Sequence, residues 1–169
     1  MLSRIAESLF WIGRYIERAD GTARILDVHL QLLLEDPWIE EDDACRALLS
    51  VMGSEAPPDA TLTRGDVLSI LAVDRTEPAS IAYSLGAARE NARRAREIVS
   101  TELWECLNTT YNGLNERIRA SKRTGPAEFF SYIEERAAMF AGLADSTLSH
   151  DDGYRFLLLG RSVERIDMI

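Results

Sequence analysis

Two segments of this chain carry one eight-residue pattern, Gly-Arg-x-x-Glu-Arg-x-Asp, at Gly13 to Asp20 and again at Gly160 to Asp167, 147 residues later. The charged residues are Arg14, Glu17, Arg18 and Asp20 in the first copy, and Arg161, Glu164, Arg165 and Asp167 in the second. Arginine is the cation for such a pattern, because its planar fork holds a carboxylate through two bonds and gives up water more readily than an ammonium does. The choice is consistent along the chain, whose single lysine is Lys122. Two uses fit these residues. They can be ion pairs between helices that fix register, or they can line a polar cleft that takes an anionic ligand or part of a partner. Paired carboxylates can also do acid–base work, but a carboxylate clamped by arginine has a depressed pKa and makes a poor general acid.

A third charged stretch reads Arg89, Glu90, Asn91, Ala92, Arg93, Arg94, Ala95, Arg96, Glu97. On a helix Arg89, Arg93 and Arg96 share a face, with Glu90–Arg94 and Arg93–Glu97 spaced for ion pairs. The face is either solvated or an anion site for phosphate or carboxylate, and Asn108 and Asn112 on the next helix could complete the latter. Other chemistries find no residues. Only His29 and His150 are present, there is no Glu-x-x-His for a di-iron bundle, and neither a phosphate-cradling loop nor a serine elbow occurs; no metal and no cofactor is expected. A net charge of −9 argues against nucleic acid or an anionic membrane as the main partner. No apolar run is long enough for a signal peptide or membrane span. Cys45 and Cys106 lack metal-like spacing and read as free thiols of a reducing, cytoplasmic compartment. Trp11, Trp38 and Trp104 read as packing residues at helix contacts.

The elements that hold these residues are all helical. Ile5, Leu9, Ile12, Ile16, Ala19, Ala23, Leu26, Leu30 and Leu33 form a seam along one helix over 3–35, ended by Asp36-Pro37. A second helix is expected over 40–52, stopped by Gly53, and then a Gly- and Pro-rich loop. Thr63 and Asp66 are spaced as a capping box for a short helix to about Ala72, and Pro78 suits the first turn of the next helix. That helix has Ile81, Leu85, Ala88, Ala92, Ala95 and Val99 as its seam. Ser100 caps a helix with Trp104, Leu107, Tyr111, Leu114 and Ile118 as its seam, 121–126 is a turn, and 128–146 is helical. Ser149 with Asp152 caps the closing helix, 150–169. The fold class is therefore all-α: one domain over 1–169, a bundle of about six long helices plus a short one, with two repeat-related Glu-Arg helices. Seams stepping three and four predict shallow crossings of roughly 20°.

On helix 3–35 the side opposite the seam carries Phe10, Gly13, Arg14, Glu17, Gly21, Arg24 and Val28, with Ile25 and Leu32 beside them. A solvated face would not place glycines mid-helix, where each costs about 1 kcal/mol relative to alanine. The helix should thus be covered on both sides, leaving Arg14, Glu17 and Arg24 partly buried and satisfying one another. The seam repeats with the charges: Leu9, Ile12, Ile16 and Ala19 map onto Phe156, Leu159, Val163 and Ile166. A duplicated unit accounts for this, its two helices pairing about an approximate twofold axis with each Glu reaching the other helix's Arg.

Three segments, "ESLFWIGRYIERADGTARIL", "AARENARRAREIVSTELWECLN" and "DDGYRFLLLGRSVERIDMI", together resemble the alpha-E family of bacterial helical proteins named for a Glu-Arg motif. The resemblance implies company with ATP-grasp-type ligases and transglutaminase-like proteins, and a part in peptide or amide-bond synthesis or modification. It also brings Arg89 to Arg93 toward one polar interior with the octet helices. Family members are longer, with the second Glu-Arg helix near their middle, so this chain reads as an N-terminal portion whose interrupted helix favours self-association. Three functions follow as expectations: a non-catalytic module partnering an ATP-grasp-type ligase, an enzyme acting on amide bonds in an Arg/Glu cleft, or a structural dimerisation unit.

Overall fold

The computed structural model describes residues 3–36, 38–56 and 58–169, and among these every regular element is helical. The order is α1 (Ser3–Glu35), α2 (Glu41–Val51), α3 (Arg64–Leu68) running into a π-helical turn (Ser69–Val73), α4 (Ile81–Arg94), α5 (Thr101–Thr124), α6 (Ala127–Thr147) and α7 (Asp152–Asp167). Pro37 of the expected helix stop lies outside the described residues.

Helices α1, α4, α5 and α6 close into an up-down-up-down bundle. Thr22 and Tyr15 of α1 meet Ala79 and Tyr83, so α4 descends against α1. Arg89 meets Asn108 while Gly86 meets Tyr111, so α5 rises. Ser100 meets Thr147 and Thr110 meets Arg136, so α6 descends again. The expected seams of α1 and α4 enter the core: Leu9, Ile12, Ile16, Ala19, Ala23 and Leu26 are sealed from water, as are Ile81, Ala88, Ala92 and Ala95. On α5 the expected Leu107, Leu114 and Ile118 are buried, but Trp104 and Tyr111 are only partly so and Leu103 is sealed instead; Phe130, Ile133 and Phe140 of α6 complete the core. Small side chains at Ala19, Ala23, Ala88 and Ala92 let α1 and α4 lie close. Helix α7 joins from outside the bundle, on the face of α1 opposite its seam.

Several boundaries differ from expectation for local reasons. Pro78 precedes its helix, which Ser80 caps by accepting from the Tyr83 amide. That helix ends at Arg94, and residues through Ser100 form turns that still bury Ala95 and Val99. Residues 121–124 are the last turn of α5, where Lys122 and Arg123 oppose the helix dipole, and Gly125 at φ 92° makes the stop. The cap of α7 is Asp151, not Ser149, its carboxylate accepting from the Gly153 and Tyr154 amides. The Thr63–Asp66 capping box is formed as read. Trp38 packs on nothing and is 91% exposed, which corrects its reading as a packing residue. No described helix is long and apolar enough to cross a membrane.

Helices α1 and α7 run in the same direction. Each polar bond between them joins residues 144 to 153 apart, close to the repeat spacing. Their backbones touch at glycines. A Cβ on Gly13 would drive into the carbonyl oxygen of Leu157, and one on Gly160 into that of Phe10. Leu157 is the repeat counterpart of Phe10, so the two contacts are one contact made twice.

This close approach sets opposite signs for two substitutions of glycine in helix interiors. Gly160→Ala gains helix propensity yet should destabilise by about 1–3 kcal/mol, since rigid backbone must move. Gly142→Ala on the exposed side of α6, where a Cβ meets nothing, should stabilise by up to about 1 kcal/mol. Urea unfolding of the two variants checks both signs.

Candidate functional site

The Arg/Glu octets meet across the α1–α7 contact. Glu164 is 3% exposed and lies between two arginines of α1. Arg14 donates its Nε to Oε2 at 2.5 Å, and Arg18 donates to both carboxylate oxygens. Glu17, 7% exposed, lies between two arginines of α7: Arg161 donates Nε at 3.3 Å and Arg165 donates Nε at 2.6 Å. Adding the repeat spacing carries Arg14, Arg18 and Glu17 onto Arg161, Arg165 and Glu164, so the two sets mirror each other. The expected exchange, each Glu reaching the other helix's Arg, is therefore what forms.

Helix geometry explains why the exchange beats the local pairing. Arg14 and Glu17 are suitably spaced on α1, but the glycines bring α7 close enough for Glu164 to lie over the gap between Arg14 and Arg18. Glu164 then accepts three bonds and Glu17 two, all from forks of the facing helix. Arg14 does not bond Glu17; it bonds Glu164 and, with its second nitrogen, Asp167. The symmetric Arg161–Asp20 bond is not made. Asp20 turns one oxygen to Arg24 at 3.0 Å, and its other oxygen is buried without a partner.

The network is unequal in its surroundings. Arg18 sits over the Tyr15 ring and donates to the Pro78 carbonyl, and Arg14 sits over the Trp11 ring at 5.5 Å. Burial works against the charge on Arg18, but the bonds from Glu164 outweigh it and raise its hold on its proton. Burial, with Tyr83 beside it, pushes the Tyr15 phenol up. The Trp11, Tyr15 and Tyr83 rings form a continuous row that shields the Arg14–Arg18 side. Arg165, the counterpart of Arg18, has no such cover and is 62% exposed. Beside Arg14, Arg18 and Glu164 opens a cleft of about 650 Å³, also lined by Glu77, Pro78 and Met52.

The remaining candidates lie elsewhere. Arg24 is exposed and joins α1 to Asp20 and to Glu134 of α6, so it does not share in the buried set. Past Gly21, against which Met168 packs, α7 ends and Val28 and Leu32 of α1 are open to solvent. The described part of α7 thus covers α1 as far as Gly21. Arg89 is not in a common interior with the octets. It donates to Asn108 at 2.8 Å and lies between the Trp104 and Tyr111 rings on the α4–α5 face. Glu90 pairs with Arg93 and Arg94 at the surface, so the expected Arg93–Glu97 pair gives way to Arg93–Glu90. The bond from Arg93 is the chief reason Glu90 titrates down at about 2. Asn91 caps nothing outside its helix, donating to the Ala87 carbonyl, and Asn112 is exposed. His29 is half-buried with an unpartnered ring nitrogen, and burial lowers its pKa.

Sequence reasoning missed Arg136 and Thr22. Arg136 of α6 is held by Thr110, Thr109 and the Cys106 carbonyl of α5. Thr22, fully buried, donates to the Ala79 carbonyl. Neither carries a motif; a lone polar residue inside an apolar face is the only signal either offers. Among the described residues no group of acidic, His or Cys side chains is placed to hold a metal.

A family model described as "a predicted alpha-helical domain with a conserved ER motif" matches residues 1–169. The chain belongs to the Alpha-E family. Glu17-Arg18 and Glu164-Arg165, whose bonds are described above, are two of the Glu-Arg pairs in this chain. An uncharacterized protein of Mycobacterium bovis and two uncharacterized proteins of Mycobacterium tuberculosis are 24% identical over 183 aligned residues, covering 96% of this chain. The chain spans about a fifth of the length of these relatives, 21%. No solved structure matches.

Removing one carboxylate orphans two guanidinium groups. Glu164→Ala should lower unfolding free energy by roughly 3–5 kcal/mol and Glu17→Ala by less, because Arg165 is already 62% exposed, while Glu90→Ala, at the surface, should leave the urea midpoint unchanged. A loss below about 0.5 kcal/mol for Glu17→Ala would mean that water replaces the carboxylate freely.

Proposed function

We propose that this Alpha-E chain is a non-catalytic helical module, a partner or scaffold of an ATP-grasp-type ligase that forms peptide or amide bonds. The observation that carries the non-catalytic half is the clamping of Glu17 and Glu164 by arginines. Each accepts from two arginines of the facing helix. A general acid or base must reach a substrate proton within hydrogen-bond distance, and both carboxylates are occupied and nearly sealed. The geometry instead supports rigidity: parallel helices locked in one register present fixed outer surfaces.

The ligase partnership draws its support from the family alone, and it is compatible with this chemistry. A ligase that handles peptide substrates needs them held and oriented, which a rigid helical surface provides without chemistry of its own. The acidic surface, net charge −9, suits a basic face on such a partner.

The partnership is tested by co-purifying the chain with a neighbouring ATP-grasp-type ligase and following ATP consumption with a peptide acceptor. Consumption should rise when the chain is added to the ligase, and the chain alone should consume none. ATP turnover or amide hydrolysis by the chain alone, abolished in Glu164→Gln, would establish the enzymatic alternative.

A further inference from the structure

Helix α1 is used on both sides, and its counterpart α7 is used on one. The α1 seam is sunk into the groove between α4 and α6: Leu9 is 0% and Ile12 1% exposed. The matching residues on α7 are Phe156, Leu159, Val163 and Ile166. They keep the three-four spacing, and their helix uses its other face to meet α1 through Gly153, Leu157, Gly160 and Glu164. Yet Leu159 is 50% and Ile166 72% exposed, with Phe156 exposed and Val163 half-buried between them. An apolar stripe of this regularity on a helix is a packing face.

The relation between α1 and α7 says what packs there. Their mutual contacts are reciprocal down to the glycine-to-carbonyl pairs and the Glu-to-Arg exchange. The same relation that carries α1 onto α7 carries α4, α5 and α6 onto the open side of α7. We propose that the α7 seam seats a second trio of antiparallel helices patterned like α4–α6, making the α1–α7 pair the centre of two bundles. A second copy of this chain is not the occupant, because each copy holds one trio and its own α1 already fills it. The unequal cover of the arginines fits the same reading. Arg18 has the Pro78 carbonyl and the Tyr15–Tyr83 row over it, all at the entry to α4. Arg165 is open where a second trio would bring its own entry. This inference stands whether or not the ligase partnership does.

The probe is a dye-labelled polypeptide of residues 78–149 of this sequence, added to the intact 169-residue chain. Fluorescence anisotropy reads binding, light scattering reads stoichiometry, and circular dichroism reads helix gained on mixing. A one-to-one complex is expected, at least roughly tenfold weaker for Leu159→Glu/Val163→Glu, since each charge replaces a contact worth about a factor of ten or more. Both positions reach solvent, so the doubly substituted chain should keep its own melting temperature. No complex would overturn the proposal. So would equal binding to the substituted chain, which would mean that the probe displaces α4–α6 from α1. Dimers of the intact chain that the two glutamates dissolve would also overturn it, by making a second copy the occupant.

Discussion

Glu17 and Glu164 are the constraint on which the arrangement of this chain depends. Each is a charge removed from water, and desolvating a carboxylate costs several kcal/mol unless its lone pairs are met. Here they are met only by the arginines of the facing helix. A one-residue slip of α7 along α1 would turn Glu164 through about 100° and leave Arg14 and Arg18 facing an apolar side chain. Apolar packing tolerates such slips far better, because Leu and Ile seams repeat. The ion exchange therefore contributes little net stability but a large gap between the native register and its neighbours. The glycines act with it: Gly13 and Gly160 allow the backbone approach without which the forks would not reach across.

That constraint propagates into the bundle. With α7 held on one side, α1 cannot rotate to relieve strain, and its seam is aimed into the groove between α4 and α6. Ala19, Ala23, Ala88 and Ala92 then decide how close α4 comes, and Thr22 can reach the Ala79 carbonyl only at that distance. The Trp11, Tyr15 and Tyr83 rings form a row along α1 and α4 that covers one flank of Arg14 and Arg18, whose other flank faces the cleft. Two kinds of order thus share one helix. Its seam sets the bundle by volume, and its opposite face sets the partner helix by charge.

Most of this was legible because both kinds of order are periodic. The seam spacing, the mid-helix glycines and the repeated octet are each visible in one dimension, and together they require a doubly covered helix and a reciprocal exchange. What was not legible is which faces meet. Arg89 reads like the octet arginines in type and spacing, yet its helix turns that face toward Trp104 and Tyr111 of α5. Which of two polar faces meets which neighbour is a property of bundle order, and a helical wheel does not hold it. Arg136 shows the same limit from the other side. Its partners are Thr110, Thr109 and a main-chain carbonyl on α5, and a carbonyl has no sequence signature.

The asymmetry between Arg18 and Arg165 shows how local burial assigns different work to equal residues. Both bond a buried glutamate with the same fork. Arg18 is also covered on one flank by an aromatic ring and a carbonyl and is 20% exposed, so its bonds to Glu164 meet less competing water than those of Arg165. Arg165 reaches Glu17 from solvent and is screened by it. The Glu164 side is accordingly the rigid end of the network and the Glu17 side the yielding one, although the two are written in the same eight letters. Rigidity is therefore set by what the bundle places over each arginine, and the charges themselves only determine which residues must meet.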